Sequence, residues 1–135
     1  MTKSALFTIF LYLCFVSPAL AQTAEEYLVQ GIQKFQVGDY KGAIKDTNKA
    51  IELKPNLAMA YYIRAGAKGS LENYSSAIED FNKVIEIDPK NAGAYYGRGT
   101  ARLEIHQIRD GCLDLKKAQE LGISETSNLI EEYCN

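Results

Sequence analysis

Apolar positions recur along most of this chain at helical spacing, in short runs separated by turn residues. Leu28, Ile32 and Phe35 lie four and three residues apart, on one face of a predicted helix. Gly38-Asp39 ends that run, because glycine takes a left-handed helix end without a Cβ clash. A second amphipathic run extends from about Tyr40 to Lys54, with Ala43, Ile44, Ala50, Ile51 and Leu53 apolar. Pro55 stops it, lacking the N–H donor and clashing with the preceding turn. The pattern then starts again with a period of 34 residues. Ala60-Tyr61-Tyr62 returns as Ala94-Tyr95-Tyr96, Arg64 as Arg98 and Pro55 as Pro89; Asp46, Asp80 and Asp114 keep the same interval, as do Lys49, Lys83 and Lys117 and Glu52, Glu86 and Glu120. A fixed period of this size means stacked helical hairpins. Glu72-Asn73 and Asp88-Pro89 supply the breaks of the middle unit, and His106-Gln107 and Leu121-Gly122 those of the third. A last short helix follows, with Ser124 as expected N-cap and Leu129, Ile130 and Tyr133 as its buried side.

The first 21 residues follow a different rule. Lys3 precedes an uncharged run, Ala5 to Val16, and Ala19-Leu20-Ala21 is the small-residue pattern of a signal-peptidase site. The run is shorter than the roughly 20 residues that cross a bilayer. The expectation is a secretion signal over residues 1–21, cleaved before Gln22, with an uncleaved anchor as the alternative. Without Lys3 the remainder has 14 basic and 17 acidic residues, a net charge of −3. That balance disfavours nucleic acid and anionic lipid, which call for a basic face. Cys112 and Cys134 remain as an even pair, and in an exported chain they are a disulfide candidate, against two buried thiols. A bond would join the last hairpin to the final helix.

The residues inside each unit resemble the tetratricopeptide repeat. Small residues stand in the first helix (Gly31, Ala65, Gly99) and in the second (Ala43, Ala77, Gly111), where the two cross. Tyr40 and Tyr74 mark the turn, Phe81 the second helix, Ala50, Val84 and Ala118 its end, and proline the stop. Thr47 departs from the pattern where an aromatic is usual, as do Ile108, Gly111 and Ile123. The resemblance spans residues 24–57, 58–91 and 92–125, with 126–135 as cap, and is similar to terminal repeats of exported bacterial members. It implies an all-α fold, a right-handed α-solenoid of three hairpins whose first helices line a concave groove. The groove side would then carry Leu28, Ile32, Phe35 and Gln36, then Met59, Tyr62, Gly66, Gly69 and Ser70, then Tyr96, Thr100, Leu103 and Glu104. Some members clamp a partner's C-terminal carboxylates with lysine, asparagine and arginine. Here those places hold Leu28, Ile32, Ile63, Gly93 and Gly97, none with a side-chain donor, so an acidic tail is not the expected ligand.

Gly66, Gly69 and Ser70 admit two readings: a hollow beside Tyr62 that receives a partner's side chain, or close backbone packing, which the general use of glycine favours. Tyr62 and Tyr96 are open between binding and packing, whereas Tyr61 and Tyr95 are expected in the core. Arg64 and Arg98 are expected to form a ladder with Asp46 and Asp80 of the preceding unit, or else to be solvated charge. His106, the single histidine, has no periodic partner and reads as surface. No phosphate loop or zinc spacing appears, so an enzyme is disfavoured. The sequence predicts a non-enzymatic interaction module of the cell envelope, periplasmic or secreted. It would bind another protein's short apolar or aromatic segment, with no cofactor, metal or nucleic acid, and touch membrane only through an uncleaved signal. The alternative is a structural subunit of an envelope assembly with a large obligate interface.

Overall fold

A computed structural model describes residues 21–135; the candidate signal, residues 1–20 of it, lies outside the described residues. Three hairpins and a final helix make up the described residues: α1 (Ala24–Gln36) with α2 (Tyr40–Leu53), α3 (Ala58–Ser70) with α4 (Tyr74–Ile87), α5 (Ala92–Glu104) with α6 (Ile108–Glu120), and α7 (Thr126–Tyr133). Polar caps start several of them. Thr23 and Glu26 form a reciprocal capping box, and the side chains of Asp39 and Asn91 accept from the N–H groups of Gly42 and Ala94. The first helix of each hairpin ends the same way. Asp39, Asn73 and Gln107 donate to the carbonyls of Lys34, Lys68 and Arg102 at 2.8–2.9 Å, across a left-handed residue. That residue is Gly38 in repeat 1 but Glu72 and His106 in repeats 2 and 3, both at φ 62°. The breaks read from the sequence therefore share one backbone shape, with glycine's freedom present only in the first.

Within each hairpin the helices meet at the small residues. A Cβ on Gly31 would fall 2.9 Å from Thr47 Cγ2, and one on Gly111 3.0 Å from the Gly99 carbonyl oxygen. Ala43, Ala65 and Ala77 at the equivalent crossings are fully buried. The densest core lies in the middle, where Tyr61, Ala65, Ala77, Phe81, Val84 and Ala94 pack together with Ile51 and Ile85 alongside. Tyr61 also donates its hydroxyl to the Pro55 carbonyl at 2.9 Å, fixing the turn between repeats. Tyr95 is only half-buried, less than the core place expected for it. Thr47 fills its aromatic's place by burying its methyl and giving its hydroxyl proton to the Ala43 carbonyl at 2.7 Å.

The expected ladder between repeats is built differently. Arg64 grips Asp80 of its own repeat with two bonds, Nε to Oδ2 at 2.9 Å and Nη2 to Oδ1 at 2.6 Å. Its third nitrogen, Nη1, reaches back to Asn48 of the preceding repeat at 2.8 Å. Arg98 repeats the arrangement with Asp114 and Asn82. The pairs Arg64 with Asp46 and Arg98 with Asp80 are thus corrected: the planar guanidinium fork matches the carboxylate across its own hairpin, and a neutral asparagine makes the link to the neighbour. Lys68 and Arg102 add a second cation to Asp80 and Asp114 at 2.7 Å. In repeat 1 Gln30 stands in the arginine's place, and Asp46 has Lys34 at 2.7 Å.

The last helix also departs from expectation. Glu125, not Ser124, occupies the N-cap, while the Ser124 carbonyl accepts from Ser127. The fully buried residue is Thr126; Leu129 and Ile130 are half-buried and Tyr133 is 43% exposed. Tyr133 is the last residue of the 8-residue α7, whereas the buried Thr126 lies in its first turn. Cys112 and Cys134 have Cα atoms 5.7 Å apart and sulfurs at 2.06 Å.

Candidate functional site

The first helices of successive hairpins, α1, α3 and α5, touch one another and form the inner layer, and each second helix packs between its partner and the next repeat. A concave face lined by first helices follows from that layering. Of the residues expected there, Gln36, Met59, Ser70 and Glu104 are exposed; Leu28, Ile32, Phe35, Tyr62, Gly66, Gly69, Tyr96 and Thr100 are half-buried. Leu103 is only 9% exposed, which corrects its place in the groove. It turns inward because Gly111 opposite leaves room, its Cδ2 lying 2.9 Å from where a Cβ of Gly111 would be.

Between repeats 2 and 3 this face opens into a cavity of about 310 Å³. Gly66, Gly69, Ser70, Thr100 and Glu104 line it, and so do Tyr74, Phe81, Gly97, Ala65, Ala77 and Ala101, which the sequence did not place in the groove. The remaining expected residues lie outside its lining. Tyr62 in particular is structural: its ring stands edge-on to Phe81 at 5.9 Å and its hydroxyl fills the space beside Gly93. Gly66 is a packing glycine, since a Cβ there would meet the Phe35 ring at 3.2 Å. Gly97 is another, with Phe81 Cε1 and Cε2 at 2.7 and 2.8 Å from the Cβ position. Gly69 is different: nothing lies within 4 Å of its Cβ position. The signal that reveals the hollow in the sequence is Gly69 itself, because the equivalent residues of the other repeats are Phe35 and Leu103.

Charge is distributed unevenly across the site. The cations of α3 and α5, Arg64, Lys68, Arg98 and Arg102, are committed to Asp80 and Asp114. Glu104 is the one charged residue in the cavity lining. Partial burial of the Tyr74 phenol, with the carboxylates of Glu104 and Glu72 nearby, raises its pKa. Among the described residues no cluster of three or more His, Cys, Asp or Glu is arranged to hold a metal ion, and no helix is long and apolar enough to cross a membrane.

Stacked hairpins with a first-helix groove define an α-helical repeat protein. A family model for the TPR repeat matches residues 67–105. Over 42 residues the chain is 45% identical to the tetratricopeptide repeat protein 36 homolog of Nematostella vectensis, a match covering 31% of this chain and 23% of that protein. Among solved structures, the TPR2B domain of yeast Sti1, in complex with pHsp70, is 30% identical with a TM-score of 0.70, covering 80% of this chain and 88% of that one. The Arabidopsis OM64 TPR domain is 28% identical with a TM-score of 0.77, covering 82% and 92%. The first TPR of Spaghetti (RPAP3), bound to the HSP90 peptide SRMEEVD, shares the fold with a TM-score of 0.80 at 24% identity, covering 83% and 90%. The chain belongs to the tetratricopeptide repeat family, and it spans under a quarter of the Nematostella relative it matches.

Proposed function

We propose that this protein is a non-enzymatic interaction module that holds a short apolar or aromatic segment of a partner protein in its concave groove. The observation that carries this is the chemistry of the groove: apolar, aromatic and small side chains, with the cations of α3 and α5 tied to aspartates and Glu104 as its charge. The Sti1 domain, solved in complex with pHsp70, and the second TPR of Spaghetti (RPAP3), 26% identical and bound to the HSP90 peptide SRMEEVD, support peptide binding as the class of activity. The HSP90 peptide SRMEEVD on the Spaghetti domain is acidic. This chain has Leu28, Ile32, Ile63, Gly93 and Gly97 where the resemblance would put clamp donors, so its segment is of a different chemistry. The module works in the cell envelope, in the periplasm or secreted, with the Cys112 to Cys134 bond as part of the exported form. Counting thiols in denaturant before and after reduction checks that: the bonded form gives none before and two after in the cleaved chain.

One observation favours a second reading, a structural subunit with a larger interface. Ile108, Leu113 and Tyr133 are 37%, 59% and 43% exposed around Cys112 and Cys134, making an apolar patch away from the groove. Affinity capture from envelope extract separates the two. The parent protein is run beside a Met59→Lys, Tyr96→Ala variant, which leaves the packed Tyr62 in place. A partner enriched by the parent and lost with the variant supports the groove; one kept by the variant moves recognition to the patch.

A further inference from the structure

Phe35, Gly69 and Leu103 hold the same place in three successive first helices. The Phe35 ring fills the seam between repeats 1 and 2 by resting on Gly66, and Leu103 is buried against Gly111. Repeat 2 alone has no side chain there, and the space beside Gly69 is open. Glycine inside a helix weakens it relative to alanine, so an unfilled Gly69 carries a cost that close packing does not explain. The resulting cavity, about 310 Å³, is at the small end of ligand sites, suited to one side chain. Its walls are the rings of Tyr74 and Phe81 and the backbone of α3, and Glu104 stands exposed on its lining. With Arg98 and Arg102 bound to Asp114, and Arg64 and Lys68 to Asp80, nothing in the lining neutralises that carboxylate.

Resting on the groove reading above, we infer that the hollow between repeats 2 and 3 takes an aromatic side chain of the partner segment, with an adjacent lysine or arginine paired to Glu104. Edge and face contacts with Tyr74 and Phe81 hold the ring, and the carboxylate selects the charge beside it. A segment with a carboxylate at that place meets like charge and no compensating cation.

The test is an NMR titration of the isotope-labelled protein with the blocked tetrapeptide Gly-Phe-Lys-Gly, and with Gly-Phe-Glu-Gly and Gly-Gly-Lys-Gly, following the amides of Gly69, Thr100 and Ala101. The Phe-Lys peptide is expected to shift these signals saturably, the Phe-Glu peptide to bind about tenfold more weakly, and the Gly-Lys peptide to leave them in place. Glu104→Gln should bring the Phe-Lys and Phe-Glu affinities within about twofold of each other. Gly69→Leu should abolish the shifts; Gly69→Ala, the smaller change, should weaken them with the spectrum otherwise intact. Equal affinity for the two phenylalanine peptides in the parent, or shifts that survive Gly69→Leu, overturns the proposal. Shifts at Leu28 and Tyr96 with none at Gly69, Thr100 and Ala101 overturn the hollow while leaving the groove reading standing.

Discussion

The two seams between neighbouring first helices are built from the same 34-residue unit, yet one is closed and the other open. At the seam between repeats 1 and 2, Phe35 lies over Gly66 and stacks edge-on against Tyr40 at 5.6 Å. At the seam between repeats 2 and 3, Gly69 leaves the equivalent place empty and a hollow forms. Both seams are tied by the same polar link, Arg64 to Asn48 and Arg98 to Asn82, each at 2.8 Å. The arginine network sets how the repeats stack, and a single side chain decides whether the stack has a hollow. On the proposed function, stability and recognition then fall to different residues of the same helices.

That separation can be broken at several strengths. Asp80→Ala should have the largest effect, since it leaves Arg64 and Lys68 together without their anion in a mostly buried site. A loss of about 3–5 kcal/mol is expected, read from chemical denaturation. Phe35→Ala comes next: about 2–3 kcal/mol, at or below the usual phenylalanine range because the ring is half-buried. It should also open a second hollow at the first seam, visible as new amide shifts with an aromatic peptide. Gly97→Ala should cost about 1–3 kcal/mol, because its methyl group meets the Phe81 ring. Gly69→Ala should move the other way, gaining about 1 kcal/mol of helix propensity in open space. Two glycines bordering one cavity thus give opposite signs in the same denaturation series.

Much of the fold was legible in the sequence because the period repeats every determinant at once. Gly38, Glu72 and His106 fall at one left-handed position, and Pro55 and Pro89 follow α2 and α4. What was not legible depended on side-chain direction. Arg64 has Asp46 and Asp80 at comparable separations in sequence, and only the position of α4 across the hairpin selects the second. Leu103 shares its place with Phe35, but glycine at 111, where repeat 1 has Ala43, lets it turn inward. Tyr62 was open between binding and packing, and the contact that decides it is with Gly93 and Phe81, a pair brought together by stacking. Tyr74 and Phe81 were read as marks of the turn and of the second helix; each also gives one face to the hollow, which no spacing along α4 reveals.

The most direct measurement is partner capture with Gly69→Leu beside Leu113→Lys, both first shown to unfold with midpoints close to the parent's. Gly69→Leu fills the concave hollow, and Leu113→Lys places a charge on the exposed patch at the far end of the chain. The account predicts that the partner is lost with Gly69→Leu and retained with Leu113→Lys. Retention with Gly69→Leu and loss with Leu113→Lys would contradict it, and would move recognition to the surface around Cys112 and Cys134.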